Sequence, residues 1–189
     1  MTRLSILKPI FLAMVLVVFA GCADDSSGNS VPTDNVELDE NWESIEYAQG
    51  MIKGRQWKYL QGRASIFKRN NKDFLEIRLW NDRFDNPCSV ALGSKVQVRM
   101  YVPLSRGSWR IDPNDPFSLI PTLIFSDYGV SNNSKVNLIA DEGMASVNLL
   151  DNNNVAGVVS AQFKPKDEGR TKVYGKFNVP FCTTFYGSD

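Results

Sequence analysis

Two pairs of carboxylates, one tryptophan set between arginines and three cysteines are where this chain of 189 residues could do chemistry. Histidine is absent. That removes the commonest general base, the Ser-His and Cys-His nucleophile pairs and most zinc sites. Carboxylate catalysis, lysine bases and oxygen-ligand metal sites survive the exclusion. Asp82 and Asp85 follow a strand pattern just before Pro87-Cys88, and Asp112 and Asp115 lie in a proline-rich loop. Either pair would have to converge in one cleft to serve as acid and base, or to hold calcium. Asp85-Asn86-Pro87 reads more readily as turn chemistry. Ser65-Ile66-Phe67-Lys68 matches the S-x-x-K pattern of serine nucleophiles, in which the serine opens a helix. Here it lies in a strand pattern, where positions three apart face opposite ways, and no K-T-G follows. The run from Asp151 to Gly157 starts like a calcium loop, but Val155 interrupts it and no glutamate closes it. It reads as a polar hairpin turn. No catalytic residue, metal or cofactor is expected, and the chain reads as a non-enzyme.

The longest irregular stretch runs from Pro103 to Phe117 and holds Trp109 between Arg106 and Arg110. These three residues form a candidate binding loop, since long loops carry function more often than short ones. The indole could stack on a sugar or planar ligand. The preferred reading is that it plugs the open end of the fold. Lys and Arg number 21, as do Asp and Glu. The excess acid lies before residue 47, so the remainder is mildly basic. Its basic residues, Arg63, Arg78 and Arg99 among them, are scattered, and strand alternation predicts that they lie on a solvated face. A nucleic-acid partner would need a concentrated basic stripe or a known module, so none is expected.

The start of the chain supplies an address. MTRLSILK carries Arg3 and Lys8, and an unbroken apolar run then extends from Ile10 to Ala20. A run of roughly 11 residues suits the core of an export signal and is too short to span a bilayer. Phe19-Ala20-Gly21-Cys22 resembles the bacterial lipobox, with Phe19 where leucine is usual. The expectation is a signal peptide over 1–21, cleaved before Cys22, which becomes the lipid attachment. By resemblance to that class, several acyl chains would hold the protein on the membrane, where one chain binds only marginally. Ala23 after the cysteine points to the outer membrane rather than the inner. Residues 22–46 form an acidic tether without Lys or Arg. It is too polar to offset ordering entropy and has a reach of roughly 25–30 Å. Trp42 and Ile45 mark where it would dock. With Cys22 acylated, Cys88 and Cys182 remain, and two thiols in an oxidising compartment predict a disulfide.

The element pattern behind these residues is all-β. Leu75, Ile77 and Leu79 alternate with Glu76 and Arg78, and Val96, Val98, Met100 and Val102 share one side of a second strand. Further strands are predicted at Lys135–Ala140, Met144–Leu150, Val158–Phe163 and Thr171–Val179. Many short strands at near-regular spacing predict an antiparallel β-sandwich or small barrel over 47–189.

Gly50-Met51-Ile52-Lys53-Gly54-Arg55-Gln56-Trp57 resembles the opening G-x-(V/I)-(N/K)-G-x-x-W of small β-rich bacterial envelope lipoproteins of unknown function. Val173-Tyr174-Gly175-Lys176-Phe177-Asn178-Val179 resembles their closing V-x-G-x-F-x-V strand. The resemblance implies a lipid-anchored, sandwich-like fold and no known activity. The combined expectation is a non-catalytic binding or structural module of the cell envelope, anchored to the membrane, with an envelope protein or glycan as partner. One alternative is a calycin-like carrier with an internal apolar cavity. The other is an enzyme using Asp82/Asp85 or Asp112/Asp115.

Overall fold

Alternation of apolar and polar side chains is carried furthest in the last strand, where Val173, Phe177 and Val179 are buried and Lys172, Tyr174 and Asn178 are exposed. Period-two burial of this kind commits a strand to one side of a core. The computed structural model describes residues 40–69, 71–90, 96–111, 122–127, 136–163 and 171–182, all within the unit Val31–Asp189. Cys22, Asp112 and Asp115 lie outside the described residues.

Among the described residues, eleven strands follow one another: β1 Gln49–Ile52, β2 Arg55–Lys58, β3 Gln61–Arg69, β4 Lys72–Trp80, β5 Gln97–Pro103, β6 Gly107–Arg110, β7 Thr122–Asp127, β8 Val136–Ile139, β9 Glu142–Leu150, β10 Asn154–Phe163 and β11 Thr171–Cys182. Single 3-10 turns sit at Trp42–Ser44 and Pro87–Ser89. Hydrogen bonding runs β6-β9-β10-β11-β3-β4-β5-β7-β8, with the β1–β2 hairpin attached to β11. The fold is all-β, a curled half-barrel sheet whose bonded path ends at β6 and β8.

Two halves meet along β11. One edge of β11 pairs with β10 along ten residues. Its other edge is shared, with β1 opposite Lys172–Tyr174 and β3 opposite Phe181 and Cys182. The β11–β3 pair is parallel, whereas the other strand pairs among the described residues are antiparallel. The parallel seam arises because two strand segments change partners at sharp corners. Tyr59 N–H bonds to Ala48 O and Leu60 N–H to Trp80 O, so the chain leaves β1 and joins β4 within two residues. Ala140 N–H bonds to Leu123 O and Asp141 N–H to Gln162 O, moving the chain between halves in the same way. Corner-turning strands allow one chain to line both sides of a core.

That core is shared. Leu75, Ile77 and Leu79 of β4 and Val98, Met100 and Val102 of β5 pack with Val155, Val159, Val173, Phe177, Val179 and Trp57. Each fully buried side chain of this size is worth about 1.5–3 kcal/mol. Of the predicted inward residues, Leu75, Ile77, Leu79, Val98, Met100 and Val102 are buried, and Val96 is half-buried against them.

The two sequence motifs touch each other. Gly50 pairs with Val173, and a side chain at Gly50 would lie 2.0 Å from Lys172 O. Lys53 and Gly54 have φ of 51° and 74°, the left-handed pair that a two-residue hairpin turn requires. Gly175, at φ 138°, abuts Ala48. Both motifs thus build one hairpin-on-strand junction.

Three local expectations change. The stretch after Pro103 is not one loop, because Gly107–Arg110 form β6 against β9. The turn expected over residues 151–157 is shorter, since β10 begins at Asn154. Asp151 Oδ1 accepts from Asn153 N–H and Asn154 N–H at 2.7 Å each, which closes the turn early. Finally, packing starts before residue 47: Lys176 N–H donates to Glu46 O at 2.8 Å, and the Lys176 ammonium bonds to Glu43 O. Trp42 and Ile45 are half-buried there.

Candidate functional site

The side of β3, β4 and β5 that faces away from the core is mostly polar and largely buried. Register places Arg63 opposite Arg78 and Arg78 opposite Arg99. Beside that row lie Ser65, Glu76 and Tyr101, and on its other side Gln61, Trp80 and Gln97. Arg63 is 0% exposed, Glu76 4% and Arg78 5%. The solvated face expected for these arginines is corrected for Arg63 and Arg78, while Arg99 is half-buried: strand alternation sends them away from the core, but that side is largely covered as well. Buried charges demand partners, and the side chains supply them. Arg78 Nη2 donates to Glu76 Oε1 at 2.7 Å, and the Tyr101 hydroxyl donates to the same oxygen at 2.9 Å. Burial first, and the Glu76 charge second, push the Tyr101 phenol well above its ordinary value, so it remains a donor.

Arg63 meets the other kind of partner. Its Nη1 donates to Cys88 O at 3.1 Å and Val90 O at 3.0 Å, with Pro87 O at 3.5 Å. These carbonyls belong to the 3-10 turn after β4 and the residue that follows it. The same segment is held at Phe84, whose N–H donates to Gln61 Oε1 at 2.6 Å while Gln61 Nε2 donates back to Phe84 O at 3.1 Å. Trp80 stacks edge-on against Phe84, with ring centroids 5.2 Å apart. Cys88 and Cys182 are joined as a disulfide, with Cα atoms 5.6 Å apart. The expected pair is therefore formed, and it staples this segment to the β11–β3 seam.

The Asp82/Asp85 candidates lie on this stapled segment. Asp82 is half-buried and Asp85 exposed. Asn86 Oδ1 accepts from Cys88 N–H at 2.9 Å, so Asp85-Asn86-Pro87 performs turn chemistry. Among the described residues no group of three or more Cys, Asp or Glu could hold a metal. Ser65 is buried and Lys68 exposed, on opposite sides of β3 as strand geometry requires.

Trp109 is 8% exposed and belongs to the core cluster, whereas Arg106 and Arg110 are exposed. The indole lies inward against Gly107 and opposite Ala145, which is the packing role preferred for it. It offers no open stacking face to a ligand.

An open groove crosses the other half of the sheet. It encloses about 360 Å³ and is lined by residues of β1, β9, β10 and β11. Gln49, Glu142, Ser160, Gln162, Lys172 and Tyr174 contribute polar groups. Tyr174 is 56% exposed, a large ring standing in water. Gln162 Nε2 donates to Glu142 Oε2 at 2.5 Å, which fixes both side chains along one wall.

Comparison with family models, with curated proteins and with solved structures found no match to this chain. The function must be read from these surfaces alone. Neither the arginine row nor the groove was legible in the sequence, because both arise from strands that are distant along the chain. The exposed aromatic of the V-x-G-x-F-x-V motif, Tyr174, was the one available signal: it occupies a position that alternation turns outward.

Proposed function

We propose that the chain is a non-catalytic binding module of the bacterial cell envelope, held on the membrane through Cys22 and contacting a glycan through the groove beside Tyr174. The groove carries this reading. Its amides, carboxylate, hydroxyl and ammonium hydrogen-bond hydroxyl-rich ligands, and an exposed phenol stacks on the apolar face of a sugar ring. A groove open to solvent suits a polymer, which enters and leaves sideways; an apolar cargo requires an enclosed cavity. The export reading draws support from the cysteines, since the domain's two are paired and Cys22 is left for acylation.

Two experiments test this. Metabolic palmitate labelling of the full chain in a bacterial host is expected to mark the wild type and not Cys22→Ala; equal labelling of both would refute the anchor. Retention of the full chain on isolated envelope polysaccharide is expected to fall at least about fivefold on Tyr174→Ala, the loss of roughly 1 kcal/mol of stacking. Unchanged retention, or none by the wild type, would remove the groove's role.

A further inference from the structure

The outward side of β3–β5 concentrates positive charge. Arg63, Arg78 and Arg99 form one row across three strands, and Glu76 is the one carboxylate in that row and the two rows flanking it. Directly opposed residues on neighbouring strands stand about 4.5–5.5 Å apart at Cβ, and like charges so placed repel. Arg63 is engaged by backbone carbonyls and Arg78 by Glu76. Arg99 differs from both. Its guanidinium carbon sits 5.7 Å from the centre of the Tyr101 ring, and among the described residues it has no carboxylate partner.

A second observation comes from the donors. Arg78 Nε, Arg99 Nε and Gln97 Nε2 are buried without a hydrogen-bond acceptor among the described residues. Gln97 is 1% exposed. Its amide orientation is not free to reverse, because Gln97 Oε1 accepts from Trp80 Nε1 at 3.2 Å, and indole can only donate. The amide nitrogen is therefore held as a donor on the same outward side as Arg78 and Arg99. Glu76 Oε1 already accepts twice, from Arg78 and Tyr101.

We propose that this face is an anion site, taking one oxyanion group of a ligand, phosphate or carboxylate, between Arg99 and Arg78 with Gln97 as a third donor. An oxyanion accepts all three hydrogen bonds and offsets the excess of guanidinium charge. A water molecule would satisfy the donors less well, because its own protons face a wall of further donors. Arg99 and Tyr101 are half-buried while Glu76, Arg78 and Gln97 are nearly enclosed, so a ligand enters from the β5 side. The proposal stands apart from the groove, which lies on the other half of the sheet.

The test compares the full chain in sodium phosphate, sodium acetate and sodium chloride at matched ionic strength. The thermal midpoint is expected to rise saturably with phosphate or acetate and not with chloride. The stronger of the two identifies a phosphate-bearing or a carboxylate-bearing ligand. Equilibrium dialysis with labelled phosphate or acetate supplies a readout independent of stability. Arg99→Gln is expected to weaken that binding at least about tenfold, and Arg99→Lys, which keeps charge but loses Nε, by an intermediate factor. Tyr174→Ala is expected to leave it unchanged. Equal midpoints in all three salts, or undiminished binding by Arg99→Gln, would overturn the site.

Discussion

Glu76 decides whether the polar side of β3–β5 is tolerable. It accepts from Arg78 and Tyr101 while almost wholly enclosed, so removing its charge strands a guanidinium in a poorly solvated place. Glu76→Gln is expected to destabilise the fold by about 2–4 kcal/mol in urea titration. Adding Arg78→Met should recover most of that loss, because no orphaned charge remains at the pair. Tyr59 gives a pH signature at the same scale. Its hydroxyl donates to Asn178 O at 2.5 Å, and burial pushes its pKa up to about 12 from an ordinary value near 10. Between these values the unfolded chain has released a proton that the folded chain still holds. Stability is therefore complete below pH 10 and falls as pH rises towards about 12. Denaturant midpoints across that range should show the decline. Tyr59→Phe should lessen its slope, with Tyr101, raised in the same direction, accounting for part of the remainder.

Among the elements, β11 does the most to join the sheet. It pairs with β10 on one edge and with β1 and then β3 on the other. The β1–β2 hairpin can lie against it only because Gly175 leaves space: a Cβ there would stand 2.6 Å from Ala48 Cα and 2.7 Å from Glu46 O, both backbone atoms. Its φ of 138° adds a conformation that L side chains rarely adopt. Gly175→Ala is expected to cost at least about 2 kcal/mol, and more if the hairpin detaches. Amide exchange would then quicken first at Ala48 and Lys176, whose N–H groups bond across that junction. The β11–β3 contact is the thinnest in the sheet path, only two residues in register, and Cys182 lies at its end. The disulfide reinforces the seam where hydrogen bonding is sparsest.

At the scale of the whole molecule the disulfide closes a loop with a sequence separation of 94 residues. Reduction, or the Cys88→Ser/Cys182→Ser pair, is expected to lower stability by about 2–4 kcal/mol, measured by denaturant titration with and without reductant. The segment carrying Cys88 should loosen first. Arg63, Gln61 and the Trp80–Phe84 contact still hold it, and limited proteolysis between Asn81 and Val90 would report the loosening.

Local alternation was enough to read β4, β5 and β8 to β11, but it did not read β6 or β7. Leu75, Ile77, Leu79, Val98, Met100 and Val102 are buried as their spacing implied, because a strand's two sides are fixed by bond geometry within a few residues. The all-β class and the cysteine pair followed from the same local facts, together with cysteine count and an export-like leader. What lay on the far side of each strand was another matter. Alternation says that Arg63, Arg78 and Arg99 point away from the core; it does not say that register aligns them or that Arg63 and Arg78 are enclosed there. Register between strands and the covering of their outer side depend on contacts between residues tens of positions apart, which no local pattern encodes. The arginine row, the groove beside Tyr174 and the parallel seam at Cys182 therefore exist only in the folded sheet.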